Sequence, residues 1–284
     1  MIADLAHQQH ALVGYVHPYD WPIVPEKEKS LTHALPADVA LGKVDYIEVM
    51  GFSDHKSTAE VWYRLLNLGF HLPTGAGTDA MANYASLRGP VGMNRVYLQT
   101  SGVTSVDALK RSLREGRTVA SNGPQLALQI DKHNLGDTLS LVAGTHRVHY
   151  RAAMRSIAPM QHLEVIYNGK VVASYKFGRD RASADMEGDI SVSSSGWILL
   201  RAWNEGADPL VFDLYPYATT SPIYIEVAGS SPQSAADASY FMQWLDRVIT
   251  AAEGRDDYND EREKRETLDY LRAARAVYAA KLNR

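Results

Sequence analysis

The segment VDYIEVMGFSDHKSTAEVWYRLLNLG, residues 44–69, decides the fold class because it joins a strand pattern directly to a helix pattern. The apolar run of residues 44–49 predicts a buried strand. Ser57 and Glu60 have the spacing of a capping box, which predicts that a helix begins at Ser57. Apolar side chains then recur at helical spacing up to Gly69, where the helix is predicted to end.

The same alternation of strand and helix extends to both sides, over residues 11 to 120. The predicted strands are residues 12–16, 44–49, 70–72 and 95–98, and a second predicted helix is capped by Ser105 and ends at Gly116. Strands separated by helices favour a parallel or barrel-like sheet. Residues 2–10 have the pattern of the last turns of a helix that leads into the first strand, and we expect from this a truncation upstream.

Beyond residues 121–124 the pattern changes to strands with turn signals, up to Gly229. Residues 146–152 alternate between apolar and polar side chains, which is typical of a half-buried strand. The pair Asn168-Gly169 between two apolar runs predicts a β-hairpin. A β-sandwich of about 100 residues is the expected structure of this region.

The remaining residues predict two amphipathic helices that Gly254 separates. We expect them to form a helical hairpin that packs on the sandwich or on a partner subunit. The predicted fold is therefore α/β followed by all-β, in three domains. Residues 1–122 form the α/β part, residues 123–229 the sandwich and residues 230–284 the helical tail.

The amino-acid composition limits which partners and which metal ligands the protein can have. The 284 residues carry a formal charge of −4 and no run of basic residues, so nothing indicates a nucleic-acid partner. Cysteine is absent, and a metal would therefore have to bind to histidine and carboxylate side chains. No apolar run reaches the roughly 18 residues of a membrane span. The opening residues lack the pattern of a signal peptide, and the compartment stays open.

Three candidate metal ligands lie at the ends of predicted strands: His17, Glu48 and Asp79. Sites assemble where parallel strands end, and imidazole with carboxylate suits Zn, Mn or Fe. A bound metal would lower the pKa of a water molecule and make hydroxide available. Each residue also has a simpler interpretation. A histidine before Pro18 is often structural, Glu48 fits an ion pair or a sheet edge, and Asp79 fits a turn.

Three further residues are candidates for substrate binding because of their positions. Asp20 follows His17 closely, Arg88 precedes a Gly-Pro loop, and Asn122 lies where the α/β pattern ends. The simpler alternatives are a surface ion pair for Arg88 and a turn for Asn122.

Taken in order, several motifs point to a known family. The motifs are VGYVHP over residues 13–18, VDYIEV over 44–49, GTDA over 77–80, LRGPVG over 87–92 and SNGP over 121–124. Over residues 11–228 this ordered set resembles the carboxyl-terminal part of PHP-superfamily metallohydrolases of the CehA/McbA type.

The resemblance implies a distorted (β/α)7 barrel with a divalent metal centre that hydrolyses phosphoester, amide or carbamate bonds of a small-molecule substrate. It assigns metal-ligand roles to His17 and Asp79 and places Glu48 near the centre. Two features depart from the family pattern. The early His-x-His motif is missing, and Met81 stands where a histidine ligand is expected. Since methionine binds hard divalent ions poorly, the resemblance implies a metal in the complete protein, and this chain alone has an incomplete centre.

Three explanations of these departures stay open: a fragment of a longer protein, a partner that supplies the amino-terminal half, or a degenerate relative. Further copies of the chain are an alternative partner. The competing function is a binding or scaffolding module without catalysis. A hydrolase that uses a serine nucleophile is not favoured, because Gly-x-Ser-x-Gly is absent and the adjacent residues Ser53, Asp54 and His55 would not converge as a triad.

Overall fold

The computed structural model describes residues 2–16, 22–28, 33–81, 83, 89–100, 102, 105–212 and 214–282. In this part the chain is a mixed α/β protein with six α-helices and three sheets, which confirms the general fold class. The helices are α1 (Ile2–Gln8), α2 (Leu35–Ala40), α3 (His55–Asn67), α4 (Val106–Arg114), α5 (Ala235–Glu253) and α6 (Glu261–Leu282). The strands are β1 (Gly14–Tyr15), β2 (Tyr46–Met50), β3 (Thr74–Ala76), β4 (Arg95–Leu98), β5 (Thr118–Ser121), β6 (Gln125–Ile130), β7 (Thr138–Leu141), β8 (His146–Arg155), β9 (His162–Tyr167), β10 (Lys170–Ser174), β11 (Ser183–Val192), β12 (Gly196–Trp203), β13 (Tyr217–Thr220) and β14 (Ile223–Val227).

The first sheet is small and parallel, with the strand order β1-β2-β3. Helix α3 connects β2 to β3, as parallel neighbours require a crossover. All three strands therefore end at the same edge of the sheet. We call this edge the carboxyl edge. It consists of Glu48, Met50 and Gly51 at the end of β2, of residues 77–79 after β3, and of Asn94, whose side chain bonds to Gly51 and Gly77.

The start of α3 differs from the sequence prediction. Its cap is Asp54, whose carboxylate accepts a hydrogen bond from the Ser57 backbone N–H at 3.0 Å. The predicted capping box of Ser57 and Glu60 is therefore wrong, and the helix begins at His55. An aspartate caps a helix as well as serine does, and here it lies closer to the end of β2.

The third parallel strand also lies later than predicted. Residues 70–72 are not a strand; β3 begins at Thr74. The carbonyl of Leu72 accepts a hydrogen bond from the indole of Trp62 at 2.9 Å, so this stretch is attached to α3 by a side chain rather than to β2 by its backbone.

The second sheet has eight strands and includes β4 and β5 beside strands from later in the chain. Ser121 of β5 pairs with Ala218 of β13, and Arg95 of β4 pairs with Ser121. Backbone hydrogen bonds thus continue across the predicted boundary at residue 122, and the division into domains stays a prediction. Within the described residues each of the three sheets is open, so the barrel also stays a prediction.

The third sheet, β11-β8-β6, shares one apolar core with the eight-stranded sheet. Val148, Tyr150 and Ala152 of β8 are buried, as the alternation of residues 146–152 predicts. We call this region the sheet-pair core. Its members include Leu126, Leu128, Ile130, Val148, Ala152, Met154, Leu163, Val165, Ile190, Ile198, Leu200, Ala218 and Ile225. The hairpin at Asn168-Gly169 is confirmed, because Tyr167 pairs with Lys170 across it.

The helical tail is confirmed as two helices, but its packing differs from the expectation. Helices α5 and α6 belong to the same apolar cluster as α2 and α3, together with Trp197 and Leu199 of β12. The Tyr278 hydroxyl donates to the Pro36 carbonyl at 2.8 Å, which fixes α6 against α2. The hairpin therefore covers the α/β part of the chain. No helix in the described ranges is both long and apolar enough to cross a membrane.

Candidate functional site at the carboxyl edge

Two of the three predicted metal ligands lie together at the carboxyl edge. Glu48 is in β2, and Asp79 follows the end of β3 by three residues. The third, His17, lies outside the described residues, as do the proposed substrate-binding residues Asp20 and Arg88. Among the described candidates, Glu48 therefore lies in β2, and Asp79 lies just beyond the neighbouring parallel strand β3.

The carboxylate of Glu48 is buried, with 8% of the residue exposed. It occupies space that a side chain on Gly77 would take: a Cβ atom there would lie 2.2 Å from Glu48 Oε1. Burial of a carboxylate is costly unless polar groups stabilise it, so its position at a strand end requires a specific polar environment. Because residue 77 is a glycine, there is room for the Glu48 carboxylate.

Asp79 is exposed and has a left-handed backbone, with φ of +54°. Aspartate tolerates this region better than most residues, yet the conformation is uncommon outside turns and functional sites. The turn after β3 thus brings a carboxylate to the surface three residues beyond the strand that pairs with the strand of Glu48.

Asn94 joins the ends of β2 and β3 and was missed by the sequence analysis. Its backbone N–H donates to the Thr78 hydroxyl at 3.0 Å. Its side-chain Nδ2 donates to the carbonyls of Gly51 at 3.4 Å and Gly77 at 3.2 Å. A single asparagine just before a strand carries no pattern that would have distinguished it from a turn residue.

Asn122 lies at the same end of the fold. The Thr118 hydroxyl donates to the Thr74 carbonyl at 2.9 Å, so β5 begins beside β3. Both strands then run the same way, because Ala76 and Ala120 pack in one cluster with Met50. The residue after β5, Asn122, is therefore near the carboxyl edge.

The side-chain amide of Asn122 forms hydrogen bonds with the backbone at the start of β13. Its Nδ2 donates to the Tyr215 carbonyl at 3.0 Å, and its Oδ1 accepts from the Tyr217 N–H at 2.8 Å. Only 1% of the residue is exposed. These bonds fix the segment before β13 at the site, and a role in substrate binding stays a prediction.

Tyr215 connects this segment to the loop after β2. Its hydroxyl donates to Asp54 Oδ1 at 2.7 Å and accepts from the His55 backbone N–H at 2.9 Å. Burial raises the pKa of the Asp54 carboxyl, but the hydrogen bonds from Ser57 and Tyr215 outweigh it, and the net pKa lies below the usual value. Asp54 is thus a charged anchor for both α3 and Tyr215.

The imidazole of His55 is enclosed between two tyrosine rings. The ring centroids lie 5.3 Å from Tyr215 and 5.5 Å from Tyr217. Its Nδ1 is buried and has no hydrogen-bond partner. Burial lowers the pKa of His55 to about 4, so the ring is neutral at physiological pH. Ser53, Asp54 and His55 were not expected to converge as a triad. In the structure Asp54 caps α3 and the Ser53 hydroxyl bonds to that of Thr58.

The ammonium group of Lys56 lies close to the aromatic rings beside His55. Lys56 Nζ lies 4.4 Å from the centre of the Trp203 ring and 5.6 Å from that of Tyr215. The nearby Arg201 is engaged by Glu164 at 2.7 Å. The lysine thus contributes a cation that the aromatic faces stabilise.

The described residues do not by themselves fit a divalent metal ion. Within those ranges no group of three histidine, aspartate or glutamate side chains is close enough to hold one. The edge offers the carboxylates of Glu48 and Asp79, whereas a usual catalytic zinc centre has three protein ligands. Met81 is 37% exposed and supplies only a thioether.

Comparison with known proteins adds no family assignment. Protein-family models, curated proteins and solved structures were all searched, and none matches this chain. The carboxyl edge itself offers the buried carboxylate of Glu48 and the exposed carboxylate of Asp79, and the neutral imidazole of His55 begins the helix that follows β2.

Proposed function

We propose that this chain is part of a metal-dependent hydrolase of the PHP superfamily, CehA/McbA type, whose reaction centre at the carboxyl edge is incomplete in one chain and is completed by a second chain or a further copy. One observation carries the proposal: Glu48 and Asp79, which the family resemblance assigns to the centre, lie at the same edge of a parallel sheet. Ligand sites of open parallel sheets lie at this edge. The bonds hydrolysed are phosphoester, amide or carbamate bonds of a small molecule.

The proposed centre extends beyond the described residues. His17 follows β1 by two residues in the sequence and is the proposed imidazole ligand. One imidazole and two carboxylates form a set suited to Zn, Mn or Fe. Asp20 and Arg88 remain the proposed substrate-binding groups. A second chain, either an amino-terminal half or another copy, is the proposed source of any further ligand.

The residues of the edge itself support hydrolysis through acid–base chemistry. Glu48 supplies a buried carboxylate at this edge, and hydrolases use such a group either to hold a metal ion or to accept a proton. Asp79 is exposed after the neighbouring strand, and its carboxylate is therefore open to solvent.

The proposal also includes a more specific fold, a PHP-like barrel followed by a β-sandwich. The β1-β2-β3 sheet, with β5 beside β3, is part of a PHP-like barrel, and the two sheets around the sheet-pair core are a β-sandwich. The parallel order of β1, β2 and β3 and the shared apolar core support this assignment.

The experiment supplies purified protein with Zn, Mn or Fe and measures both bound metal and hydrolysis of an aryl phosphoester, an anilide and an aryl carbamate. We expect hydrolysis by the wild type and its loss in His17→Ala and in Asp79→Ala. Asp107→Ala serves as the control, since its carboxylate is 80% exposed on α4. Unchanged turnover in both site variants would contradict the proposal.

A second candidate function, a binding module, is favoured by one cleft. Between β4–β5 and the β11-β8-β6 sheet lies a cavity of about 860 Å³, within the range of small-molecule sites. Tyr97, Val119, Leu128, Leu135 and Met186 are among the residues that line it. It is distinct from the carboxyl edge, because the next residue of β5, Ala120, packs in the separate cluster of Met50 and Tyr217.

The cleft is tested with Nile red, an uncharged apolar dye. The wild type is expected to bind the dye, and Tyr97→Glu, at the rim, is expected to abolish binding. Val106→Glu is the matched control, because Val106 is 71% exposed on α4. If Tyr97→Glu and the wild type bind the dye equally, the cleft is not the site. Dye binding without any hydrolysis or metal uptake would favour this second function.

A further inference from the structure

Two tyrosine hydroxyls are buried between α3 and the eight-stranded sheet without a hydrogen bond. Tyr63 lies in α3 and Tyr217 begins β13, with 6% and 0% of each residue exposed. Within the described residues neither hydroxyl has a partner. Leaving such a group unpaired is costly, and an exception in a folded protein indicates a water molecule or an ion that completes the bonding.

The guanidinium of Arg201 lies on the same face of the sheet as these hydroxyls. Arg201 and Trp203 are two residues apart in β12 and therefore share a face, and Tyr217 is paired directly with Trp203. Trp197 belongs to the same face, and the Tyr63 ring packs on it with ring centroids 4.9 Å apart. Helix α3 thus covers the face that carries Arg201 and Tyr217.

The three polar groups influence one another without being bonded. Burial raises the pKa of both tyrosines, and the positive charge of Arg201 opposes this rise in each. The hydroxyls of Tyr63 and Tyr217 also shift the pKa of each other. They are therefore neighbours, yet neither donates to or accepts from the other or Arg201. Such a gap between polar groups is where a bridging water is expected.

The chemistry of the three groups suits a water molecule. Arg201 donates from Nε and Nη2 to Glu164 Oε2, at 3.2 and 2.7 Å, and a guanidinium has five N–H groups, so others remain. A buried water forms about three hydrogen bonds, and Arg201 with the two hydroxyls supplies three partners. Because Glu164 already balances the charge of Arg201, a neutral ligand fits better than an anion.

We propose that one buried water molecule joins the hydroxyls of Tyr63 and Tyr217 and the guanidinium of Arg201. The water accepts from Arg201 and from one tyrosine, and it donates to the other tyrosine. It attaches α3 to β12 and β13, across the predicted boundary at residue 122. The inference is independent of the proposed hydrolase function, because none of the three residues belongs to the carboxyl edge.

A crystal structure of the whole chain that resolves ordered water is the direct test. The expected result is one water molecule within hydrogen-bond distance of both hydroxyls and of Arg201. A dry gap or a direct bond between the two hydroxyls overturns the inference. Crystals grown in bromide separate water from a halide ion, and an anomalous bromide peak at this place overturns it as well.

The sign of a stability change is the second test. With the water in place, Tyr63→Phe and Tyr217→Phe each remove a hydrogen bond, and each is expected to raise the equilibrium constant of unfolding about fivefold. In a dry gap the same substitutions would remove a buried polar group that has no partner, and the constant would fall. Urea unfolding measures the constant, and an unchanged or lower value in both variants contradicts the inference.

A double variant tests whether one molecule serves both hydroxyls. Tyr63→Phe combined with Tyr217→Phe is expected to raise the constant by less than the product of the single effects, because the first substitution already weakens the shared water. Tyr63→Phe combined with Tyr278→Phe is the matched control, since the Tyr278 hydroxyl is also buried but donates directly to the Pro36 carbonyl. Those two effects are expected to multiply. If the effects of the first pair multiply too, the hydroxyls share no water and the inference is overturned.

Discussion

The carboxyl edge and the sheet-pair core are built from opposite kinds of buried side chain. At the carboxyl edge, Glu48, Asn94 and the adjacent His55 are all at least nine-tenths buried although each is polar. Between the β11-β8-β6 sheet and the eight-stranded sheet lies a large cluster of buried apolar residues. The first region also has unpaired buried atoms, His55 Nδ1 and Asn94 Oδ1.

Under the proposed function, the difference separates buried residues that stabilise the fold from buried residues that take part in the reaction. Apolar packing lowers the free energy of the folded state in proportion to the area removed from water. Buried polar groups without full pairing raise it, and natural proteins concentrate them at functional sites. The left-handed backbone of Asp79 belongs to the same pattern.

The largest expected effect is on stability and belongs to the sheet-pair core. Leu200 in β12 is fully buried, so Leu200→Ala is expected to reduce the free energy of unfolding by about 2–5 kcal/mol through lost burial and a new cavity. Urea unfolding followed by circular dichroism measures it. Hydrolysis by the folded fraction is expected to be unchanged. Val171→Ala, at a residue 48% exposed, is the control and is expected to cost less than about 0.5 kcal/mol.

The second effect is a pH dependence that the buried His55, at the start of α3, contributes. His55 takes up a proton near pH 6.5 when unfolded but only near pH 4 when folded, because it is buried. Falling pH therefore favours the unfolded state: this contribution to stability is complete above pH 6.5 and is lost progressively down to pH 4. The loss is about 3 kcal/mol.

His55→Phe is expected to remove this part of the pH dependence. The measurement is the free energy of unfolding of both proteins at several pH values between 7 and 4, with the difference between the curves assigned to His55. The charged neighbours Asp54 and Lys56 are retained in both proteins. Parallel curves would show that the ring is not held neutral by burial.

The third effect couples stability to activity at Gly77. A Cβ atom at this position would meet Glu48 Oε1, so Gly77→Ala is expected to displace the carboxylate and to cost about 1–3 kcal/mol as overpacking does. Hydrolysis is expected to fall as well. Gly206→Ala is the control, since nothing lies within 4 Å of the added methyl group. Full activity in Gly77→Ala would place the reaction elsewhere.

The smallest effect concerns the outer face of the β11-β8-β6 sheet. Arg155 binds both oxygens of Asp185, at 3.0 and 2.9 Å, but the pair is more than half exposed. Arg155→Gln is expected to reduce the free energy of unfolding by less than about 1 kcal/mol, because solvent screens exposed ion pairs. Thermal unfolding in low and high salt measures it. If Arg155→Gln lowered the free energy of unfolding as much as Leu200→Ala does, the stability of the chain would not depend mainly on the sheet-pair core.

The sheet-pair core was largely predictable from the sequence, because its strands alternate with period two and its hairpin has a characteristic turn. Buried Val148 and Tyr150 and the turn at Asn168-Gly169 follow directly from local pattern. The elements around the carboxyl edge were less accurately predicted. Asp54 took the place of Ser57 as the cap, and β3 began at Thr74, since tertiary contacts with Tyr215 and Trp62 decided both.

The site itself was predictable only where a residue follows a recognisable strand. Glu48 and Asp79 were selected in that way, and their role in the site stays a prediction. Asn94, His55 and Tyr215 were not, because their roles depend on contacts between residues far apart in sequence: Tyr215 binds Asp54 across 161 positions and Asn94 binds Gly51 across 43. No local pattern encodes such pairings.

The most direct measurement compares two aspartates that share a backbone conformation. Asp79 and Asp131 are both exposed and left-handed, with φ of +54° and +50°, and asparagine tolerates that conformation equally well. We expect Asp79→Asn to lower kcat/KM by at least about 100-fold, and Asp131→Asn to change it by less than about twofold. If the two variants retain equal hydrolysis, the carboxyl edge is not the reaction centre.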